Sequence, residues 1–164
     1  MIFTLRPFLV PVTALGCAVV GGVFFAFSTF VMKALGGLPP AQGMAAMQSI
    51  NVTVINPLFM SAFLGTALAS LLVIGLSLPA WNRPGVIWCI LGGALYIIGT
   101  FGVTMAFNVP RNNALAALDP ASAGAAKLWA DYLTGWTAWN HVRIIASLAA
   151  AGTLIIAALN LEAK

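Results

Sequence analysis

A chain of 164 residues that is 62% hydrophobic and only 6% charged, with a mean hydropathy of +1.04, lies far from the roughly 25% charge of a water-soluble domain. That composition excludes a soluble globular enzyme and predicts an integral membrane protein, long enough for four crossings of about 20 residues each and for two foldable connections, with no room for a second domain. The net charge of +4 is scattered over Arg6, Lys33, Arg83, Arg111, Lys127, Arg143 and Lys164, so no basic patch tracks a phosphate backbone and nucleic acid is excluded as a partner.

The first apolar run, 8–32, carries no charge and exceeds the hydrocarbon thickness of about 30 Å. Arg6 before it and the small-residue pattern Ala26-Phe27-Ser28 resemble a secretory signal, but the run is too long for a signal core and reads as a retained span. Pro7 and Pro11 fall in its first turns, where a missing amide costs least, and Lys33 with Gly36-Gly37 closes it. Pro39-Pro40 then precedes Met44, Met47, Ile50 and Val54 at helical spacing, which predicts a short helix in the first connection.

The second span, 57–78, is opened by Asn56-Pro57 and ended by Pro79. A tight connection, Trp81-Asn82-Arg83-Pro84-Gly85, leads to the third span, 86–107, which Pro110 is expected to stop. Asp119-Pro120 signals the start of a second connecting helix over 121–133, since Asp accepts from orphan amides and Pro fits the first helical position. The last apolar stretch, 144–159, is too short to cross. Span four must therefore begin near Trp136, giving 136–159 and carrying Asn140, His141 and Arg143 to the membrane edge.

The expected fold is thus all-α: an integral membrane four-helix up-down bundle, one domain over 1–164, with short helices in connections 1 and 3. Frequent glycines in the spans favour close helix packing. Cys17 and Cys89 sit at different depths and predict no disulfide. Lys and Arg divide three against four between the two faces and set no orientation, so cytoplasmic termini in a multi-pass cell (inner) membrane protein rest only on that being the common arrangement.

In such a bundle the ends of spans one and three meet the starts of spans two and four at one face. Ser28, Lys33, Asn51, Asn56, Asn108, Arg111, Asn112, Asn113, Asp131, Asn140, His141 and Arg143 all fall there, with Trp129, Trp136 and Trp139. Trp136, Asn140 and Arg143, spaced i, i+4, i+7, form one helical stripe, while His141 lies on a neighbouring face. Each residue also has a bland role, as interface anchor, snorkelling cation or helix-to-helix hydrogen bond. One His, two separated Cys and spans without acidic residues make no usual metal set. Met32, Met60 and Met105 leave a soft copper site as a minor alternative to simple packing. No cofactor is identifiable from the sequence.

The segments FFAFSTFVM at 24–32, NPLF at 56–59, FNVPRNNALAALDP at 107–120, LW at 128–129 and WTAWNHVR at 136–143 resemble the anthrone oxygenase-like family of small membrane proteins, whose bacterial members mostly have no assigned function. The resemblance covers most of the chain. It implies a four-helix membrane fold and, for the fungal members, oxidation of an anthrone to an anthraquinone with molecular oxygen. Asn108, Asn112, Asn113, Trp136, Trp139, Asn140, His141 and Arg143 occupy matching positions.

The resulting expectation is an oxygenase-like protein for a planar apolar aromatic. His141 is the expected base, Arg143 with Asn140 or Asn108 stabilises the enolate, and Asn56, Asn108, Asn112, Asn113, Trp136 and Trp139 bind substrate. Membrane lipids and the aromatic are the expected partners, with homo-oligomers left open. The alternative is a non-catalytic accessory or lipid- and partner-binding subunit; an exporter is disfavoured because no span carries Asp or Glu.

Overall fold

A computed structural model describes residues 5–162. Helix α1 runs Arg6–Gly36, α2 Pro40–Thr53, α3 Pro57–Ala80, α4 Val86–Ala116 and α5 Ala125–Glu162; no strand occurs among the described residues. Helices α1, α3, α4 and α5 are each long and apolar enough to cross a membrane. They form the four-helix up-down bundle, in which α1 packs on α3 and α5, and α4 packs on the same two neighbours.

Local chemistry explains most helix ends. Pro7 fits the first turn of α1, and Pro40 opens α2 where its missing amide would have no intrahelical partner. Asn56 caps α3 by accepting from the Phe59 amide at 3.0 Å. The turn before α4 ends at Gly85, whose φ of +80° suits a residue without Cβ; an added Cβ would also lie 3.1 Å from Asn160 Cβ.

All four long helices outrun their expected spans, α3 least of them. Pro110 does not stop α4, because the chain passes through two π-helical stretches, Leu95–Gly102 and Thr104–Asn108, before continuing as Val109–Ala116. A π turn shifts the carbonyl ladder by one residue, and so accommodates a proline that an uninterrupted α ladder resists. Asp119 does not start a helix either. Its Oδ1 accepts from the Ala121 amide at 2.9 Å in a local turn, and α5 begins only at Ala125. The helix expected over 121–133 and the span expected from Trp136 are one uninterrupted helix. The helical parts of connection 3 are accordingly extensions of α4 and α5.

These extensions define two cores. In the first, Val10, Cys17, Val20, Val73, Cys89 and Leu154 are buried between the four helices, and both cysteines are free. Helices approach closely there: a Cβ on Gly92 would lie 2.6 Å from Leu154 Cγ, and one on Gly93 2.7 Å from Ile74 Cγ1. In the second, α2 lays Met44 and Met47 across the projecting ends of α1, α4 and α5, against Leu35, Leu115, Trp129 and Trp136. Gln48 Nε2 fastens α2 by donating to the carbonyls of Leu115 and Leu118, at 2.8 and 3.0 Å.

Candidate functional site

Between the two cores the helices part and enclose a cavity of about 360 Å³, within the range of small-molecule sites. Its walls are aromatic and aliphatic. Phe24 and Phe27 come from α1, Phe59 and Phe63 from α3, Phe101 from α4 and Trp136 from α5, while Met47, Ile50 and Asn51 of α2 close the end. Phe63 gathers the rings: its centroid lies 6.5 Å from Phe24, 6.1 Å from Phe59 and 5.7 Å from Phe101. Tyr96 Oη fixes this arrangement by donating to the Phe63 carbonyl at 3.0 Å.

Leu64 and Met105 also line the cavity yet are exposed on the outer surface of the bundle. The space therefore opens sideways between α3 and α4. Four of the lining residues, Phe27, Phe101, Thr104 and Met105, fall in π-helical stretches. Such turns re-aim side chains that regular α geometry would direct elsewhere.

One charged group lines this apolar space. Arg143 is 3% exposed, and its guanidinium stands over the Phe24 ring at 4.0 Å and the Trp136 ring at 4.9 Å. Nη2 donates to Asn140 Oδ1 at 2.7 Å, Nη1 donates to Thr104 Oγ1 at 3.3 Å, and Nε, buried, has no hydrogen-bond partner. Asn140 is itself held on α1, donating through Nδ2 to the Phe24 carbonyl at 2.7 Å and to Ser28 Oγ at 2.6 Å.

No carboxylate balances the charge. Lys127 pairs with Asp131 far from it, on the exposed surface. Removing a guanidinium from water without a counter-ion costs several kcal/mol, which ring faces and neutral amides offset only in part. The arrangement is a preorganised acceptor for negative charge inside an apolar chamber.

The family model described as anthrone oxygenase matches residues 54–153, more than half of the chain. The chain belongs to the anthrone oxygenase family. No curated protein and no solved structure matches it. The stretch shared with the anthrone oxygenase family carries α3, α4 and most of α5, and with them Arg143, Asn140, Trp136, Asn112 and Thr104. Helices α1 and α2, which supply Phe24, Phe27, Met47 and Asn51, lie outside it.

Within this anthrone oxygenase family member, the expected site residues separate into three groups. Arg143, Trp136 and Asn112 line the cavity. Asn140 and Asn108 are buried immediately behind it: Asn140 positions Arg143, and Asn108 Nδ2 donates to the Trp136 carbonyl at 3.1 Å while its Oδ1 has no partner. The remaining four are elsewhere. Asn56 is spent as the α3 cap, Asn113 is exposed, and Trp139 stacks on Phe107 with centroids 3.5 Å apart, outside the lining. His141 is exposed on the outer face of α5 and does not line the cavity. One residue beyond Asn140 is a rotation of about 100°, which turns the imidazole away from Arg143.

Sequence reasoning passed over Thr104 and the phenylalanines. Their signal was present only as apolar positions on three different helices. Of the methionines weighed for copper, Met60 and Met105 line the cavity and Met32 packs in the second core. Among the described residues no group of three or more His, Cys, Asp or Glu gathers.

Proposed function

We propose that this chain is a membrane-embedded oxygenase that draws a planar apolar ketone of the anthrone type from the bilayer and oxidises it through its enolate with molecular oxygen. The observation that carries this reading is Arg143, a buried cation without a carboxylate at the side of an aromatic-walled, laterally open cavity.

The ketone oxygen docks at Arg143. Loss of a proton from the activated methylene puts negative charge on that oxygen, and the guanidinium stabilises it where low dielectric strengthens the interaction. No carboxylate or imidazole lines the cavity, so no strong protein base takes the proton; the guanidinium raises the substrate's acidity, and the proton leaves to water at the end of the bundle, where the exposed Ile55 lines the cavity. His141 therefore has no part in this scheme. The enolate passes one electron to oxygen, the two radicals combine at the methylene carbon, and protonation gives a hydroperoxide. Loss of the second methylene hydrogen with cleavage of the O–O bond releases water and leaves a new carbonyl. One methylene and one O₂ become one carbonyl and one water.

We place the protein in the cell (inner) membrane with both termini cytoplasmic. The lack of a carboxylate or imidazole in the lining favours one other reading, an accessory subunit that holds an apolar anion without converting it.

Purified protein in lipid nanodiscs should consume oxygen and form quinone in a one-to-one ratio with an anthrone as substrate. Arg143→Met should lower turnover by roughly 10²–10³-fold, the usual cost of losing an oxyanion donor. Binding by the wild type without oxygen uptake would establish the carrier reading, and turnover unaffected in Arg143→Met would remove the proposed chemistry.

A further inference from the structure

The outer surface of α2 and of the corner that joins it to α3 carries no charge. Residues 34–82 contain no Asp, Glu, Lys, Arg or His, although α2 only connects two crossings and is too short to span. Its inner face is set by Met44 and Met47, which pack into the second core. The opposite face, Ala41, Ala45, Ser49 and Val52, is exposed, and its helical spacing keeps it within an arc of about 80°. Ser49 alone of these can bond to water through its side chain. A helix wetted on one side normally carries polar or charged residues there, whereas one that is apolar all round is matched to a core or to lipid.

The other side of the same cap is built differently. Trp129 of α5 faces α2, since a Cβ on Gly43 would lie 3.0 Å from Trp129 Cζ2. Lys127 and Asp131 flank Trp129 two positions away on either side, each turned about 160° from it around the helix. They project away from α2 and pair with each other at 2.8 Å on the exposed surface. At the corner, Val52 and Leu58 are 74% and 84% exposed. Leu58 continues into Leu68 and Leu72, also exposed and on one face of α3 by helical spacing, and α3 is long and apolar enough to cross a membrane. The uncharged surface of α2 therefore runs on into a lipid-facing stripe, while the charged surface is turned the other way.

We infer that α2 is an interfacial helix whose partner is the phospholipid bilayer: its outer face and the α2–α3 corner lie where lipid glycerol groups meet the acyl chains, and the Lys127–Asp131 side of the cap lies in water. Burying Ala41, Ala45, Val52 and Leu58 there removes apolar area from water and desolvates no charge. That layer of the bilayer is polar and hydrated, so the end of the cavity at Ile55 still meets water. The placement of α2 is independent of what the cavity binds, and either can fail without the other.

The test places one nitroxide at a time on the full chain in phosphatidylcholine nanodiscs, through Ala45→Cys, Val52→Cys, Leu68→Cys or Lys127→Cys. The native Cys17 and Cys89 are buried and shielded from the label. Collisions with oxygen, which concentrates in lipid, are compared with collisions with a water-soluble nickel chelate by saturation of the electron paramagnetic resonance signal. At Ala45 and Val52 the oxygen-to-nickel ratio should exceed that at Lys127 several-fold and approach that at Leu68. A ratio at both sites equal to that at Lys127 would put α2 in water, and exclusion of both reagents would put a protein, such as a second copy of this chain, over it; either result overturns the inference. The unsubstituted chain gives a second reading. A phosphatidylcholine with a diazirine near its glycerol should label the stretch 38–58 on illumination and leave 117–131 unlabelled, and the reverse pattern overturns the inference whether or not the cysteine variants fold.

Discussion

Around Val10, Val20, Val73, Cys89 and Leu154 the four long helices meet over valines, cysteines and glycines, and what space remains is a groove on the outside of α1 and α5. From Phe24, Phe63 and Phe101 towards α2 the same helices carry large rings between them and leave room for a ligand. The difference is one of side-chain volume and ladder register. Small residues let backbones approach where lipid gives no hydrophobic drive for association, whereas rings and π turns hold the backbones apart. Close packing is concentrated in the first half and the cavity lies towards the second. Polar groups do not follow this division. In the closed half Thr100 and Ser147 share a hydrogen bond at 2.8 Å while Ser70 Oγ is buried without one, as is Arg143 Nε at the cavity.

The largest stability effect should come from spoiling the close approach. Gly93→Leu places a Cβ 2.7 Å from Ile74 Cγ1 and 2.9 Å from the Ser70 carbonyl oxygen, a backbone atom that cannot step aside. A loss of about 1–3 kcal/mol is expected from such overpacking, read as a lower melting temperature in detergent. Gly65→Leu is the matched control on the outer surface of α3, where an added Cβ meets nothing within 4 Å. It should be neutral or slightly stabilising, because leucine exceeds glycine in helix propensity by up to ~1 kcal/mol. Equal destabilisation by the two changes would abolish the distinction between a closed seam and a lipid-facing surface.

The smallest effect is expected at the residue that sequence chemistry singled out first. His141→Ala, on the outer face of α5, should change anthrone turnover by less than about twofold, the scale of a surface substitution. Loss of turnover would relocate the chemistry from the cavity to that outer face.

The bundle was legible because long apolar runs admit few alternatives, and topology alone brought the polar ends together. Proline and methionine spacing likewise revealed α2, and Asn56-Pro57 revealed the start of α3. The misjudged ends have a common cause. Pro110 and Asp119-Pro120 are strong local signals, but a π turn absorbs the first and a self-contained turn uses the second. Neither outcome is encoded within a few residues.

At the site, the helical stripe of Trp136, Asn140 and Arg143 was correctly placed on one face. The expectation of a base at His141 came from its intrinsic acidity, against the rotation that the same periodicity gives it. Phe24, Phe63 and Thr104 were indistinguishable from lipid-facing or packing residues, since only tertiary packing tells which apolar side chain surrounds a void.

The central claim is that Arg143 stabilises an enolate inside the cavity, and an anaerobic titration of an anthrone against the purified protein tests it without the oxidation step. The red-shifted absorption of the enolate should appear in proportion to protein and saturate at one equivalent. With Arg143→Met it should be absent while the melting temperature holds or rises, since an apolar chain replaces a buried charge that has no counter-ion. An enolate band of equal strength in Arg143→Met, or no band with the wild type at saturating ligand, would contradict the account.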